Sequence, residues 1–160
     1  MLVVHPDRST DREPMVDAVV GGGDTRSASV RAGLAAVPDD ADIVLVHDAA
    51  RPLASARLWE RVLAAVQAGN DAVVPAVPVV DTLREVDGTT VDRTAYVAVQ
   101  TPQGFRAAVL RRAHEGAPEG TDDASLVEAI GGKVLVVDGE PENRKITTAA
   151  DLTALRGFAE

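Results

Sequence analysis

The stretch VLVHDAARP, residues 44–52, is an apolar run that stops at a carboxylate. Two small residues later it resumes with a guanidinium and a proline. Apolar side chains at successive rather than alternate positions mark a strand covered on both faces. Residues 42–46 are therefore expected to form a central strand with parallel neighbours. A helix is predicted on either side. Residues 25–37 place Val30, Leu34 and Val37 on one face. Ser55 can cap a second helix running to about Ala68, with Leu58, Val62 and Val66 inward and Gly69-Asn70 as its stop.

Outward from there the alternation continues. Residues 2–4 read as a short strand, and a second short strand precedes GGGD. DAVVPAVPVV, residues 71–80, is a strand bent or ended by its prolines. Helices are predicted near 106–114 and 122–130, strands at 133–137 and in NRKIT (143–147), and a C-terminal helix opened by a capping box of Thr148 and Asp151. Residues 79–101 break the pattern. Asp87-Gly88 sits between two β-rich arms, a hairpin signal inside a βαβ series. An arm of this kind is poorly buried by its own chain and is often covered by a second subunit. The whole chain, residues 1–160, reads as one α/β domain.

Composition narrows the function classes. Cysteine is absent, so disulfides, thiolate metal sites and cysteine nucleophiles are excluded. The net charge of -9 argues against a nucleic-acid or anionic-membrane surface, but not against a small phosphorylated ligand met by a few local cations. No apolar stretch is long enough to cross a bilayer, and no signal peptide is recognisable, so the cytoplasm is the expected compartment.

In open α/β sheets ligands bind beyond the carboxyl ends of the strands, which is where Asp48 and Arg51 fall. Asp48 suits a divalent metal or a sugar phosphate, or else caps a turn. Arg51 either meets a ligand or pairs with Asp48. His47 reads as a packed strand-end histidine. GGGDTRSAS (21–29) is a glycine-rich turn into a helix, where backbone N–H groups can meet an anion. Asp24 there is either an N-cap or an acceptor for a sugar hydroxyl or base amine. Thr82, Arg93 and Thr101 are donors suited to a phosphate monoester, though each taken singly reads as a surface residue. TDDAS (121–125) looks like a helix start, and Lys145 lies near a strand end.

Taken in order, GG-D-x-R-x-x-S, HDAARP, DT, DR, TPQGF, TDDAS and KIT resemble the methylerythritol-phosphate cytidylyltransferase family. The likeness runs from about Val20 to Leu155. It implies a Rossmann-like nucleotidyltransferase sheet, a homodimer interlocked through the β-arm, CTP as co-substrate and Mg²⁺ as metal. Gly22, Gly23, Asp24 and Ser29 would match the cytidine-binding segment. Asp48 and Ala49 would lie beside the ribose and phosphates, with Asp48 at the metal. Arg51, Thr82, Arg93, Thr101, Thr121 and Lys145 would hold the acceptor, with Thr82, Arg93 and Thr101 reaching from the partner subunit. Arg93 and Lys145 would position the acceptor for attack.

One departure matters. The family opens with a strand, a glycine-rich loop bearing an arginine, and a Pro-Lys pair, and no such segment is found here. The first strand-loop-helix unit is therefore expected to be absent, the sheet to have a gap, and the chain alone to turn over little or not at all. Two other readings stand beside this one: a cytidylyltransferase acting on a pentitol phosphate such as ribitol phosphate, and a non-catalytic dimerisation or binding module. A dinucleotide-binding dehydrogenase is disfavoured because G-x-G-x-x-G is missing.

Overall fold

The computed structural model describes residues 1–8 and 13–156. Strand β4 (Ala72–Pro78) is its hub. The first half of β4 pairs antiparallel with β8 (Gln103–Arg106), Ala72 opposite Phe105. The second half pairs antiparallel with β7 (Val97–Val99), Ala76 opposite Val99. Along its other edge it pairs parallel with β9 (Val134–Asp138), from Ala72 opposite Val134 to Ala76 opposite Asp138. Strand β3 (Ile43–Val46) completes this five-stranded sheet, antiparallel to β8.

The expectation of a central strand with parallel neighbours at residues 42–46 is thus corrected. β3 runs in the same direction as β4 and β9, but its ladder is with β8, and it ends the path. A continuous apolar run reports cover on two faces and says nothing about the direction of the neighbour. Strands β1 (Leu2–Val4) and β2 (Val19–Gly21) form a separate parallel pair. A groove of about 550 Å³ lies between β1 and β3.

Side chains alternate across β4, so its two faces meet different helices. Val73 joins Val62 and Val66 of helix α2 (Ala56–Gln67) on one face. Ala72 and Val74 join Leu110 of α3 (Ala107–Ala113), Val127 of α4 (Asp123–Ala129) and Leu34 of α1 (Arg26–Ala35) on the other. Gly104 makes the α2 contact possible, because a Cβ there would stand 2.6 Å from Val62 and 2.8 Å from Val66. Ser55 caps α2 as expected, accepting from the Leu58 N–H at 3.2 Å, and Gly69 ends it at φ +106°. Among the described residues no helix is long and apolar enough to cross a membrane.

The hairpin is present but short. β5 (Leu83–Arg84) and β6 (Thr90–Val91) pair antiparallel around a turn closed by Gly88 at φ +94°. A 3-10 turn, Arg93–Ala95, follows, and β7 then returns to the main sheet. NRKIT is no strand. Its long-range backbone bond is a single one, among the described residues, from Ile146 N–H to Ala50 O at 2.7 Å. The reciprocal capping box opens α5 (Ala149–Arg156): Thr148 N–H donates to Asp151 at 2.8 Å, and Asp151 N–H donates to Thr148 Oγ1 at 3.2 Å. Donated bonds from Thr147 and Thr148 hold the Asp151 carboxyl at about 2.

Candidate functional site

β3 and β9 run the same way, so the loops after them, HDAARP and 139–147, meet at one end of the sheet. Asp48 is the centre of that meeting. Its Oδ2 lies 3.0 Å from Lys145 Nζ and its Oδ1 3.7 Å from Arg26 Nε. Burial raises its carboxyl, but the Lys145 bond and the charges of Lys145, Arg26 and Arg51 outweigh this and hold it below the ordinary carboxylate value. Of the two readings of Arg51, a ligand contact or a pair with Asp48, the structure does not build the second. Arg51 Nη1 donates to Asn143 O at 2.8 Å and Nη2 to Val99 O at 3.3 Å, tying two loops together. The carboxylate's close partners are Lys145 and Arg26 instead, and Arg26 had been given no role from the sequence.

Behind Asp48 the hydrogen bonds fix the tautomers. Asp48 N–H donates to Thr101 Oγ1 at 3.0 Å. His47 Nε2 faces a backbone carbonyl, Arg51 O, at 3.0 Å and must carry the proton. Its Nδ1 then accepts from Thr101 Oγ1–H, also at 3.0 Å. His47 further packs on Trp59, ring centres 4.9 Å apart. Burial pushes the imidazole below its usual value, so it is neutral near pH 7. The packed reading of His47 fits this arrangement. Thr101 is buried in its own chain's cleft, with its proton directed at His47, so the structure does not present it as a phosphate donor reaching from a second subunit. Asn143, wholly buried, donates to Thr101 O at 2.8 Å and to Gln100 Oε1 at 3.3 Å.

Two cavities share the Arg26–Asp48 pair as a wall. The 550 Å³ groove adds Gly22, Gly23, Ser29 and Ala49. The other, about 340 Å³, adds Arg51, Thr101, Thr121 and Lys145. Gly22 has no room for a side chain, since a Cβ would stand 2.7 Å from Ser29 Oγ. Ser29 Oγ and the Gly23 backbone hold each other at 3.2 Å, which shapes the turn. Asp24 is exposed and lines neither cavity. It is also not the N-cap of α1, a place taken by Thr25, which accepts from Ala28 N–H. Likewise Asp122, not Thr121, caps α4. Thr82 and Arg93 lie on the arm and line neither cavity. Arg93 donates to the carbonyls of Val79 and Val80 of its own chain. The threonine–arginine–threonine set is therefore not assembled within one chain.

A glycine turn opening toward one cavity and cations gathered over a strand-end carboxylate in the next are the means by which an α/β sheet handles nucleotide phosphates. The fold so defined is of the nucleotidyltransferase type, and solved structures of that type superpose on the chain. A 2-C-methyl-D-erythritol 4-phosphate cytidylyltransferase from Thermus thermophilus superposes with TM-score 0.84 at 43% identity, covering 94% of this chain and 78% of that one. A 4-diphosphocytidyl-2C-methyl-D-erythritol synthase from Anaerococcus prevotii does so with TM-score 0.87 at 31% identity, covering 99% and 80%. Residues 1–158 match the family 2-C-methyl-D-erythritol 4-phosphate cytidylyltransferase (IspD), and the chain belongs to it. A relative so named from Rhodococcus opacus is 51% identical over 89% of this chain, and one from Nocardia farcinica 53% identical over 84%. The chain spans 65% and 60% of their respective lengths.

Proposed function

We propose that the chain binds CTP and takes part in transferring its cytidylyl group to 2-C-methyl-D-erythritol 4-phosphate. The observation that carries this reading is the Asp48 carboxylate, held between Lys145 and Arg26 on the wall shared by two cavities. One cavity suits the nucleotide, with Gly22, Gly23 and Ser29 under the sugar; Asp24, outside it, would have to turn inward to meet a sugar hydroxyl. The other suits a phosphate monoester, with Arg51, Thr121 and Lys145 around it. A phosphate oxygen of the acceptor attacks the α-phosphorus. The new P–O bond forms as the bond to the β-phosphate breaks, and pyrophosphate leaves. The nucleophile is already an anion, so the residues need to position two polyanions and offset their charge, not remove a proton.

A divalent cation, Mg²⁺ in this reading, would be held by Asp48 and the nucleotide's own phosphates. One carboxylate with substrate oxygens is an ordinary Mg²⁺ set, and Ala49 leaves space beside it. When bound, the ion would neutralise phosphate charge. Lys145 would then exchange Asp48 for the acceptor phosphate.

Thr82 and Arg93 would come from a second copy. The exposed apolar surface on and beside the arm, Val80 at 79%, Val86 at 109%, Tyr96 and Val97, supports a homodimer formed there. This reading places the chain in the cytoplasm with its nucleotide. Calorimetric titration with CTP and Mg²⁺ tests it, together with pyrophosphate release on methylerythritol phosphate and on ribitol phosphate. Binding of CTP that the Asp48→Asn variant loses, with preference for the methylerythritol acceptor, is expected. No CTP binding at millimolar concentration overturns the reading. Preference for ribitol phosphate moves the acceptor to the pentitol class.

A further inference from the structure

We propose that Asp123 and His114 are positioning residues that fix the Arg26 guanidinium on the wall between the two cavities, its outer edge facing the nucleotide's phosphates. The inference rests on the nucleotide reading above for its ligand, but not for its geometry. Asp123 is 0% exposed and His114 6%. A carboxylate so buried is costly unless it is paired, and capping does not explain it, because Asp122 already caps α4 through Ser125 N–H at 2.9 Å.

Both oxygens of Asp123 are instead turned to cationic or polar partners from elsewhere in the chain. Oδ1 lies 2.9 Å from His114 Nε2. Oδ2 lies 2.8 Å from Arg26 Nη1, off the N–H axis, so the pair is a close ion contact and not a directed hydrogen bond. Arg26 is the first residue of α1. A cation there opposes the positive end of the helix dipole, so its place is set by Asp123 and Asp48, not by the helix. Gripped from behind by Asp123, the guanidinium lines both cavities and reaches Asp48 with Nε. A fixed cation at that spot meets phosphate charge without having to be ordered on binding.

Two measurements on the full chain test this. In the ligand-free protein, side-chain nitrogen NMR of Arg26 is expected to show resolved, slowly rotating guanidinium protons that average in Asp123→Asn. An unchanged Arg26 spectrum in that variant overturns the proposal, whether or not CTP binds. In the second, calorimetric dissociation constants for CTP with Mg²⁺ are compared in a double-mutant cycle. Asp123→Asn and Arg26→Gln are each expected to weaken binding about tenfold, and the double variant no further than Arg26→Gln alone. A purely structural Asp123 would lower the melting temperature and leave CTP affinity within about twofold, or add its full effect to that of Arg26→Gln; either result overturns the proposal. Should Asp123→Asn not fold, His114→Gln enters the same cycle with a smaller expected loss, and full additivity with Arg26→Gln overturns it. Absence of CTP binding by the unmodified chain defeats the functional reading alone, and the spectrum still decides the geometry.

Discussion

Around Asp48 the polar side chains are answered from distant parts of the chain. Thr101 is bonded across 53 residues to Asp48 and across 54 to His47, and Arg51 across 92 to Asn143. On the arm, apart from the Arg93 bonds to Val79 and Val80, the side-chain bonds are local. Asp87 accepts from Thr89 two residues on, Asp92 from Thr94 two residues on, and Arg84 donates to Gly88 four residues on. Long-range bonds cost chain entropy and are kept only where the whole fold supports them. They leave the cleft pre-shaped, with its cations already in place. Local bonds hold the arm's shape but bury little, and its apolar side chains point to solvent. One region is finished by its own chain, and the other is shaped to be finished by another.

The sharpest way to break this contrast is to remove one carboxylate from the finished region and one cation from the other. Asp48→Asn is expected to weaken CTP binding with Mg²⁺ about a hundredfold, in line with truncating one partner of a charge cluster. Its melting temperature should barely move, because Lys145 is half exposed and returns to water. Arg93→Ala is expected to leave CTP affinity within about twofold and to act only on acceptor use. Calorimetry on both variants decides. Equal losses from the two would mean that arm and cleft are not separate in the way drawn here.

Much of the finished region was legible before the structure. The inward face of α2, its Ser55 cap, the Thr148–Asp151 box and the placing of Asp48 beyond a strand end all depend on spacing within a few residues. The pairing of β3 was not legible, because an apolar run records cover and not the direction of the neighbour. NRKIT is not a strand for a related reason. Asn143 belongs to a loop whose order comes from Thr101 and Gln100, more than forty residues away. The Arg26–Asp123–His114 cluster was missed altogether. Its signals were present but faint: an arginine at a helix start, against the dipole, and a second aspartate where one sufficed as a cap.

Stability sharpens the comparison at the next level down. Asn143→Ala strips the donors from Thr101 O and Gln100 Oε1 inside the fold, and is expected to cost about 2 kcal/mol in urea unfolding. Arg84→Ala, on the arm, should stay within about 0.5 kcal/mol. A large loss from Arg84→Ala in dilute protein would show that the arm, too, is tied into the fold of a single chain.

Acid separates the two regions by the smallest effect. Burial comes first among the influences on His47 and pushes it below its ordinary 6.5. The unfolded chain then binds a proton there that the folded chain resists, so stability rises with pH across this window. The contribution is complete above 6.5 and shrinks as pH falls from 6.5 through the folded value. Protonation would give Nδ1 a hydrogen facing the Thr101 hydroxyl, and Thr101 would have to turn its own proton away. Asp87 and Asp92 are depressed by bonds from Thr89 and Thr94, so they act only below their ordinary 3.8. Urea midpoints measured at pH 7.5 and 5.5 should therefore fall slightly for the natural chain, the imidazole being only half buried and screened by water. They should stay level for His47→Gln and still fall for Asp92→Asn. An equal fall in all three would remove His47 from the account and leave the cleft's order to Asn143 and Arg51.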